Sequence, residues 1–277
     1  MNQVTSPQAI YDSADRGAWL LREARELFAY RTLLRLLVIN QFKQRYRRSL
    51  LGMGWMLVGP LLNTAVLSVA FNALFRNSIA QYPVYVMVGL IAWNFFAQTT
   101  TLGVDAAISG SGLLQRVYLP RSMFVIATLG GAVINMGIAL IALLIVLLTN
   151  SAPLYATWLL LPLAIAVLAL FTLGVTLLVA TLAVFVGDVA HMYQLLVQAL
   201  FFLTPIVYPA EIVPSELRWL VQLNPMSVLV DLFRTLLYRG QVPDLSQWLS
   251  AAGLALTALC IGWALFAWKA DECVYYL

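Results

Sequence analysis

The 277 residues are 62% hydrophobic and only 10% charged, with a mean hydropathy of +0.87, whereas a soluble domain carries about 25% charged residues. That balance excludes a soluble domain on a tether and describes one integral membrane domain. The net charge of +4 comes mostly from arginines in the first fifty positions, a placement that concerns topology and anionic headgroups, not nucleic acid.

Residues 1–30 hold Asp12, Asp15, Arg16, Arg22, Glu23, Arg25 and Glu26 without an apolar core of the signal-peptide kind, so this end is expected to stay in the cytoplasm. From Tyr30 to Arg48, Leu33, Leu34, Leu36, Leu37, Val38, Ile39 and Phe42 interleave with Arg31, Arg35, Lys43 and Arg45. The stretch is too charged to span and predicts an amphipathic helix in the interface plane, apolar side toward the acyl boundary. The same charges also serve as a positive-inside stop, and the two readings are compatible. Residues 1–49 are thus expected to form a cytoplasmic N-terminal segment, 50–269 the transmembrane domain and 270–277 a cytoplasmic tail.

The first span is expected at about 50–75, where Gly59-Pro60 kinks the helix by removing a backbone donor, and the second at about 83–104. A loop with two glycines and one or two turns of helix follow at 105–121, ending in Leu119-Pro120-Arg121. From Ser122 to Gly187 run sixty-six consecutive residues without Asp, Glu, Lys, Arg or His. A span takes roughly 20 apolar residues, so this run holds two, about 122–148 and 154–186, parted at Asn150-Ser151-Ala152-Pro153. A one-turn link, Gly187 to His191, leads to a fifth span at about 192–207, and the sixth lies at about 248–268.

Between the last two, residues 208–247 carry only two short apolar patches, 216–223 and 226–238. At about 1.5 Å per residue neither crosses a core of roughly 30 Å, so a pair of short re-entrant helices is expected. Asn224 would cap the second, Pro225 take its first position and Gly240 end it. The predicted fold is all-α and polytopic: six transmembrane helices, an N-terminal interface helix and the re-entrant pair between helices five and six. Six spans put both termini on one side. Twelve Lys and Arg residues fall there, against Arg76, Arg218, Arg234 and Arg239 opposite, which places both termini in the cytoplasm.

Ion-coupled transporters carry ionisable groups inside their spans, and the span interiors here are bare. Asp188 and His191 read as a helix cap and an interfacial histidine, not a proton relay. One histidine and scattered carboxylates do not make the cluster that an enzyme acting on lipid phosphates needs. Neither lysine, Lys43 or Lys269, follows a glycine, so there is no phosphate-binding GxxxxGK[ST] loop. Catalysis is not expected, and ATP-driven transport would need a second polypeptide. Cys260, inside an apolar span, and Cys273, in the polar tail, form no disulfide framework.

Four segments together resemble the membrane subunits of ABC-2-type ABC transporters, specifically the polysaccharide, O-antigen, capsule and teichoic-acid exporters. They are QFKQRYRRSLLGMGWMLVGPLL (41–62), QRVYLPRSMF (115–124), FVGDVAHMYQLLVQALFFLTPIVYPAEIVP (185–214) and LNPMSVLVDLFRTLLYRG (223–240). TPIVYP and LNP are the most specific pieces, and Gly187-Asp188 stands where that family often has Arg-Asp. The resemblance implies two copies of this subunit, two copies of a separate ATPase that binds the ATP and magnesium, and no cofactor in this chain. It also implies a coupling helix between spans two and three, an external mouth lined by the paired short helices, and a polyprenyl-pyrophosphate-linked glycan as cargo.

On that reading Leu113, Leu114, Gln115, Arg116, Tyr118 and Arg121 are candidate ATPase contacts. Arg45, Arg47 and Arg48 stand at the entry to span one, where guanidinium forks suit a lipid pyrophosphate; the other reading is topology and generic anionic-lipid contact. Trp55, Phe201 and Tyr208 are candidate channel-lining rings for sugar faces, or interface anchors. A passive channel or lipid scramblase, an ABC-2 exporter of a non-glycan lipid or drug, and a structural assembly subunit are the competing functions.

Overall fold

Inside hydrocarbon a backbone N–H or C=O has no water to bond, and a helix pairs both within its own segment. The computed structural model describes residues 28–45, 52–75, 79–109 and 122–269, and these are helical with no strand among the described residues. The helices are α1 (Arg31–Arg45), α2 (Trp55–Phe75), α3 (Tyr82–Ser109), α4 (Met123–Thr149), α5 (Leu161–Phe185), α6 (Asp188–Leu203), α7 (Arg218–Leu223), α8 (Pro225–Leu237) and α9 (Leu245–Lys269). The chain is a multi-pass membrane protein.

Among the described residues three helical stretches are long and apolar enough to cross a bilayer: Met123–Thr149, Ala156–Phe185 and Leu245–Lys269. A fourth is reached if α7 and α8, bent by 85°, count as one span. α2 is apolar over Trp55–Phe71 and α6 over Asp188–Leu203, shorter stretches than the other three. α3, with 28 residues, is long enough but carries Asn94, Gln98, Thr99, Thr100, Thr101 and Asp105.

Several boundaries differ from the sequence expectation, among them the start of α5, expected at about 154 and found at Leu161 after the 3-10 turn Ala156–Leu160. The loop foreseen from residue 105 is helical as far as Ser109, because Asp105 is exposed and so interrupts nothing. The fifth span was placed at about 192–207, but α6 begins at Asp188 and stops at Leu203; Pro205 disfavours helical geometry at Thr204. Asp188 is therefore not the cap. Gly187 holds that position without a side-chain cap bond, and Asp188 lies in the first turn, where a negative charge meets the helix dipole favourably. α2 runs on through Pro60 to Phe75, at the cost of the bond that residue 60 would donate to the Met56 carbonyl.

α3 is the central helix. It touches α2, α4, α5, α6 and α8, and every residue from Val84 to Trp93 is buried, the pattern of a helix that is apolar all round. α1 lays its half-buried stripe, Leu33, Leu34, Leu37, Val38 and Gln41, toward the body of the protein and leaves Arg31, Arg35, Leu36 and Ile39 exposed. It packs on α4, and Gln41 Nε2 donates to Thr128 Oγ1 at 3.4 Å. The apolar side expected to face acyl chains thus meets protein, at least along α4.

The tightest helix pair is α5 with α9. A Cβ at Gly174 would overlap the Ala258–Leu259 peptide, and one at Gly262 would overlap the Gly174 carbonyl. Small residues permit this approach where helices associate by packing alone. Gly262→Val is therefore expected to lower stability by about 1–3 kcal/mol or more, read as a lower Tm and loss of the monodisperse species in detergent. Gly253→Val on the same helix, where an added Cβ meets nothing within 4 Å, is expected to leave both unchanged.

Candidate functional site

The segment Thr204-Pro205-Ile206-Val207-Tyr208-Pro209 joins α6 to the bent pair α7–α8. Two prolines remove backbone donors and prevent a helix, so three consecutive carbonyls depend on side chains from elsewhere. Arg234 Nη2 donates to the Ile206 carbonyl at 2.7 Å, the Tyr82 hydroxyl to that of Val207 at 2.6 Å, and the Tyr85 hydroxyl to that of Tyr208 at 3.1 Å. The Tyr208 hydroxyl turns back to the Phe202 carbonyl at 2.8 Å. Burial pushes the Tyr208 phenol above the ordinary tyrosine range, which keeps it a neutral donor.

Arg234 sits at the centre. It is 3% exposed, with its guanidinium carbon 3.7 Å from the centroid of the Tyr85 ring and Nε without a hydrogen-bond partner. Asp231, three residues back, is paired with Arg239 at 2.8 Å and accepts from Gln247 Nε2 at 2.9 Å. The buried charge is thus balanced by a π face and a carbonyl dipole; a desolvated cation–π contact is worth about 2 kcal/mol. Gly89 makes the space: a Cβ there would come within 3.1 Å of Arg234 Nη2 and 3.2 Å of the Ile206 side chain.

The start of α8 is capped as its sequence foretold. Asn224 Oδ1 accepts from the Met226 amide at 3.0 Å, with Pro225 at the first turn of α8. Its Nδ2 also donates to Thr204 Oγ1 at 2.8 Å, tying the α7–α8 corner to the end of α6. Gly240 takes a left-handed φ of +65°, and Gln241 N reaches back six residues to the Thr235 carbonyl at 3.0 Å, pairing one of the carbonyls left open at the end of α8. Tyr238 stacks edge-on against Tyr85 at 5.4 Å and donates to the Ala80 carbonyl at 2.6 Å.

Of the candidate residues, Phe201 and Tyr208 come together here. Phe201 packs edge-on against Trp93 at 5.7 Å and Phe202 at 5.4 Å, about two turns of α3 from Tyr85. Trp55 opens α2 and is 48% exposed; it is not part of this cluster. Arg45 ends α1. Arg47, Arg48, Leu113, Leu114, Gln115, Arg116, Tyr118 and Arg121 lie outside the described residues.

Sequence reasoning missed Tyr82, Tyr85 and Arg234. Arg234 was counted as a topology charge, although its setting within the apolar run Leu232-Phe233-Arg234-Thr235-Leu236-Leu237 was a signal of burial. Also missed were uncharged amides on α3 and α4, Asn94, Gln98 and Asn135. Among the described residues no trio of His, Cys, Asp and Glu is placed to hold a metal ion. The arrangement is a structural clamp, with donors that stay protonated and no nucleophile–base pair.

Residues 32–238 match the family described as ABC-2 type transporter. The chain is 28% identical over 257 residues to the O-antigen export system permease protein RfbA of Myxococcus xanthus, covering 91% of this chain and 98% of that one. It is 25% identical over 209 residues to RfbA of Klebsiella pneumoniae, covering 75% and 81%. To the polysialic acid transport protein KpsM of Escherichia coli it is 22% identical over 240 residues, covering 83% and 90%.

Removing the clamp tests its weight. Arg234→Met leaves a buried carbonyl unpaired, worth about 1–3 kcal/mol, and is expected to lower the Tm in detergent clearly. Tyr82→Phe removes one hydroxyl and is expected to cost about 0.5–1.5 kcal/mol. The same ranking should appear in protease cleavage at the 204–217 segment.

Proposed function

We propose that this chain, which belongs to the ABC-2 type transporter family, is the membrane-spanning permease subunit of an ATP-driven exporter that carries a polyprenyl-pyrophosphate-linked polysaccharide across the cytoplasmic membrane. The observation that carries the reading is near full-length similarity to a permease named for O-antigen export. Similarity to a protein named for polysialic acid transport supports a polysaccharide as the cargo class.

In this reading α2, α3, α4, α5, α6 and α9 cross the membrane and both termini are cytoplasmic. The distribution of Lys and Arg supports that orientation. The 3-10 turn Gly52–Gly54 extends α2, and the 204–209 segment continues α6, so the two short helices gain reach. The 85° bend between α7 and α8 supports a re-entrant hairpin over a straight crossing, and on this reading the clamp, with Phe201 and Tyr208, lies at the external mouth.

Two copies of the chain assemble with two copies of an ABC ATPase, which binds ATP and magnesium; this chain contributes no cofactor. Residues 113–121 contact the ATPase. Arg45 ends α1, Arg47 and Arg48 follow it in the sequence, and their guanidiniums receive the lipid pyrophosphate at the cytoplasmic face.

Co-expression with the cytosolic ATPase of the same export system is the direct test. A stoichiometric two-to-two complex is expected, with cysteines at Leu114 or Gln115 cross-linking to the ATPase and one at Glu216 failing to do so. A chain that moves lipid when reconstituted alone and never retains an ATPase would instead be a passive scramblase.

The entry site has its own test. The double variant Arg47→Lys, Arg48→Lys keeps the positive-inside count but loses planar bidentate recognition; it is expected to insert and assemble normally yet export less glycan per inserted molecule. The Gln pair is expected to export less still. Wild-type export by both pairs would reduce these arginines to topology signals.

A further inference from the structure

Halfway along their lengths, α2, α3 and α4 enclose a cavity of about 50 Å³ whose polar lining is Thr64, Asn94, Gln98 and Asn135. Asn94 is the thirteenth of the 28 residues of α3, Asn135 the thirteenth of the 27 of α4, and Thr64 the tenth of the 21 of α2. The position is mid-depth in the bundle, where an unpaired polar group is costly. Among the described residues no ionisable side chain lines the cavity, and its remaining wall includes Met87, Leu90, Ile91 and Phe95.

Thr64 gives the clearest sign. Each threonine in α3, α4, α5, α8 and α9 donates its hydroxyl to a carbonyl about one turn back in its own helix. Thr64 does not: it is 2% exposed, and its Oγ1 has no hydrogen-bond partner in the protein. Ser68, one turn further along α2, is also buried with an unpartnered Oγ. Across the cavity the amides are scarcely better paired, since Asn135 Nδ2 reaches Gln98 Oε1 only at 3.5 Å, at the outer limit of a hydrogen bond.

The volume fits the chemistry. A water needs about 10–15 Å³ of such space and two to four polar partners, so the cavity has room for a few waters or one hydroxyl-bearing arm of a larger molecule. The amides offer donors and acceptors together, and the threonine hydroxyl offers both. A neutral O–H group, itself donor and acceptor, matches that set, whereas an ion would find no countercharge.

We infer that the cavity between α2, α3 and α4 is an intramembrane hydroxyl-binding site, with Thr64, Asn94, Gln98 and Asn135 as its hydrogen-bonding groups. The hydroxyl comes either from water held between the spans or from a sugar of the cargo; the second source rests on the exporter reading, the site itself does not.

The test uses the full chain in native membranes with its ATPase, in a Cys260→Ser, Cys273→Ser background. Single cysteines are placed by Thr64→Cys, Asn94→Cys and, as a lipid-facing control, Ile141→Cys, a position 53% exposed. The probe is the small neutral reagent methyl methanethiosulfonate, which reacts with the thiolate and so reports a hydrated cysteine. Thr64→Cys and Asn94→Cys are expected to react about tenfold or more faster than Ile141→Cys; equal slow rates mean a dry packing gap and overturn the proposal. Adding Thr64→Val to Asn94→Cys is expected to slow that reaction, and Thr64→Ser to restore it; an unchanged rate in both removes Thr64 from the site. Repeating the measurement with and without glycan synthesis separates the sources: protection by the glycan assigns a sugar hydroxyl, and identical fast rates assign water.

Discussion

A peptide carbonyl removed from water must find a donor, and at residues 206–208 the chain cannot supply one from its own backbone. Everything distinctive about this end of the molecule follows from that. Pro205 and Pro209 break the helix, and the stranded carbonyls draw two tyrosines from α3 and an arginine from α8. The arginine in turn requires a ring to lie on and a glycine opposite. The clamp therefore fixes α3, α6 and α8 relative to one another through six residues of irregular chain. Its donors are neutral hydroxyls and a permanently charged guanidinium, so the joint is insensitive to ordinary changes of pH.

Much of the fold was legible because membrane helices are written in composition. The charge-free run from Ser122 to Gly187 gave both ends of α4 and the end of α5 within one residue, since hydrocarbon leaves a 25-residue apolar segment no alternative; α5 itself begins only at Leu161, after the 3-10 turn Ala156–Leu160, where 154 was expected. Asn224, Pro225 and Gly240 foretold the start and end of α8 because caps are local chemistry, decided within a few residues. The end of α6 was misjudged for the opposite reason: hydropathy continues through Ile206 and Val207, and only the proline geometry stops the helix.

The site was less legible. Tyr82 and Val207 lie 125 positions apart and Arg234 and Ile206 lie 28 apart, and nothing periodic links such pairs. A charge count treats Arg234 as a surface arginine, though its neighbours on both sides are buried. Inspecting the spans for ionisable groups likewise passes over Asn94, Gln98 and Asn135, which carry no charge yet bring strong hydrogen-bonding demands into an apolar setting. α1 shows a third limit: its stripe is visible in the sequence, but whether lipid or protein covers it is decided by α4.

The contact between Gly174 and Gly262 has a consequence for how the molecule is made. The notch on α5 is cut for a helix that is synthesised only after α6, α7 and α8, so a nascent chain that has made those segments still carries an open groove on α5. That groove closes only after residue 262 has left the ribosome. A chain truncated before α9 keeps its earlier helices but lacks the piece shaped to close α5.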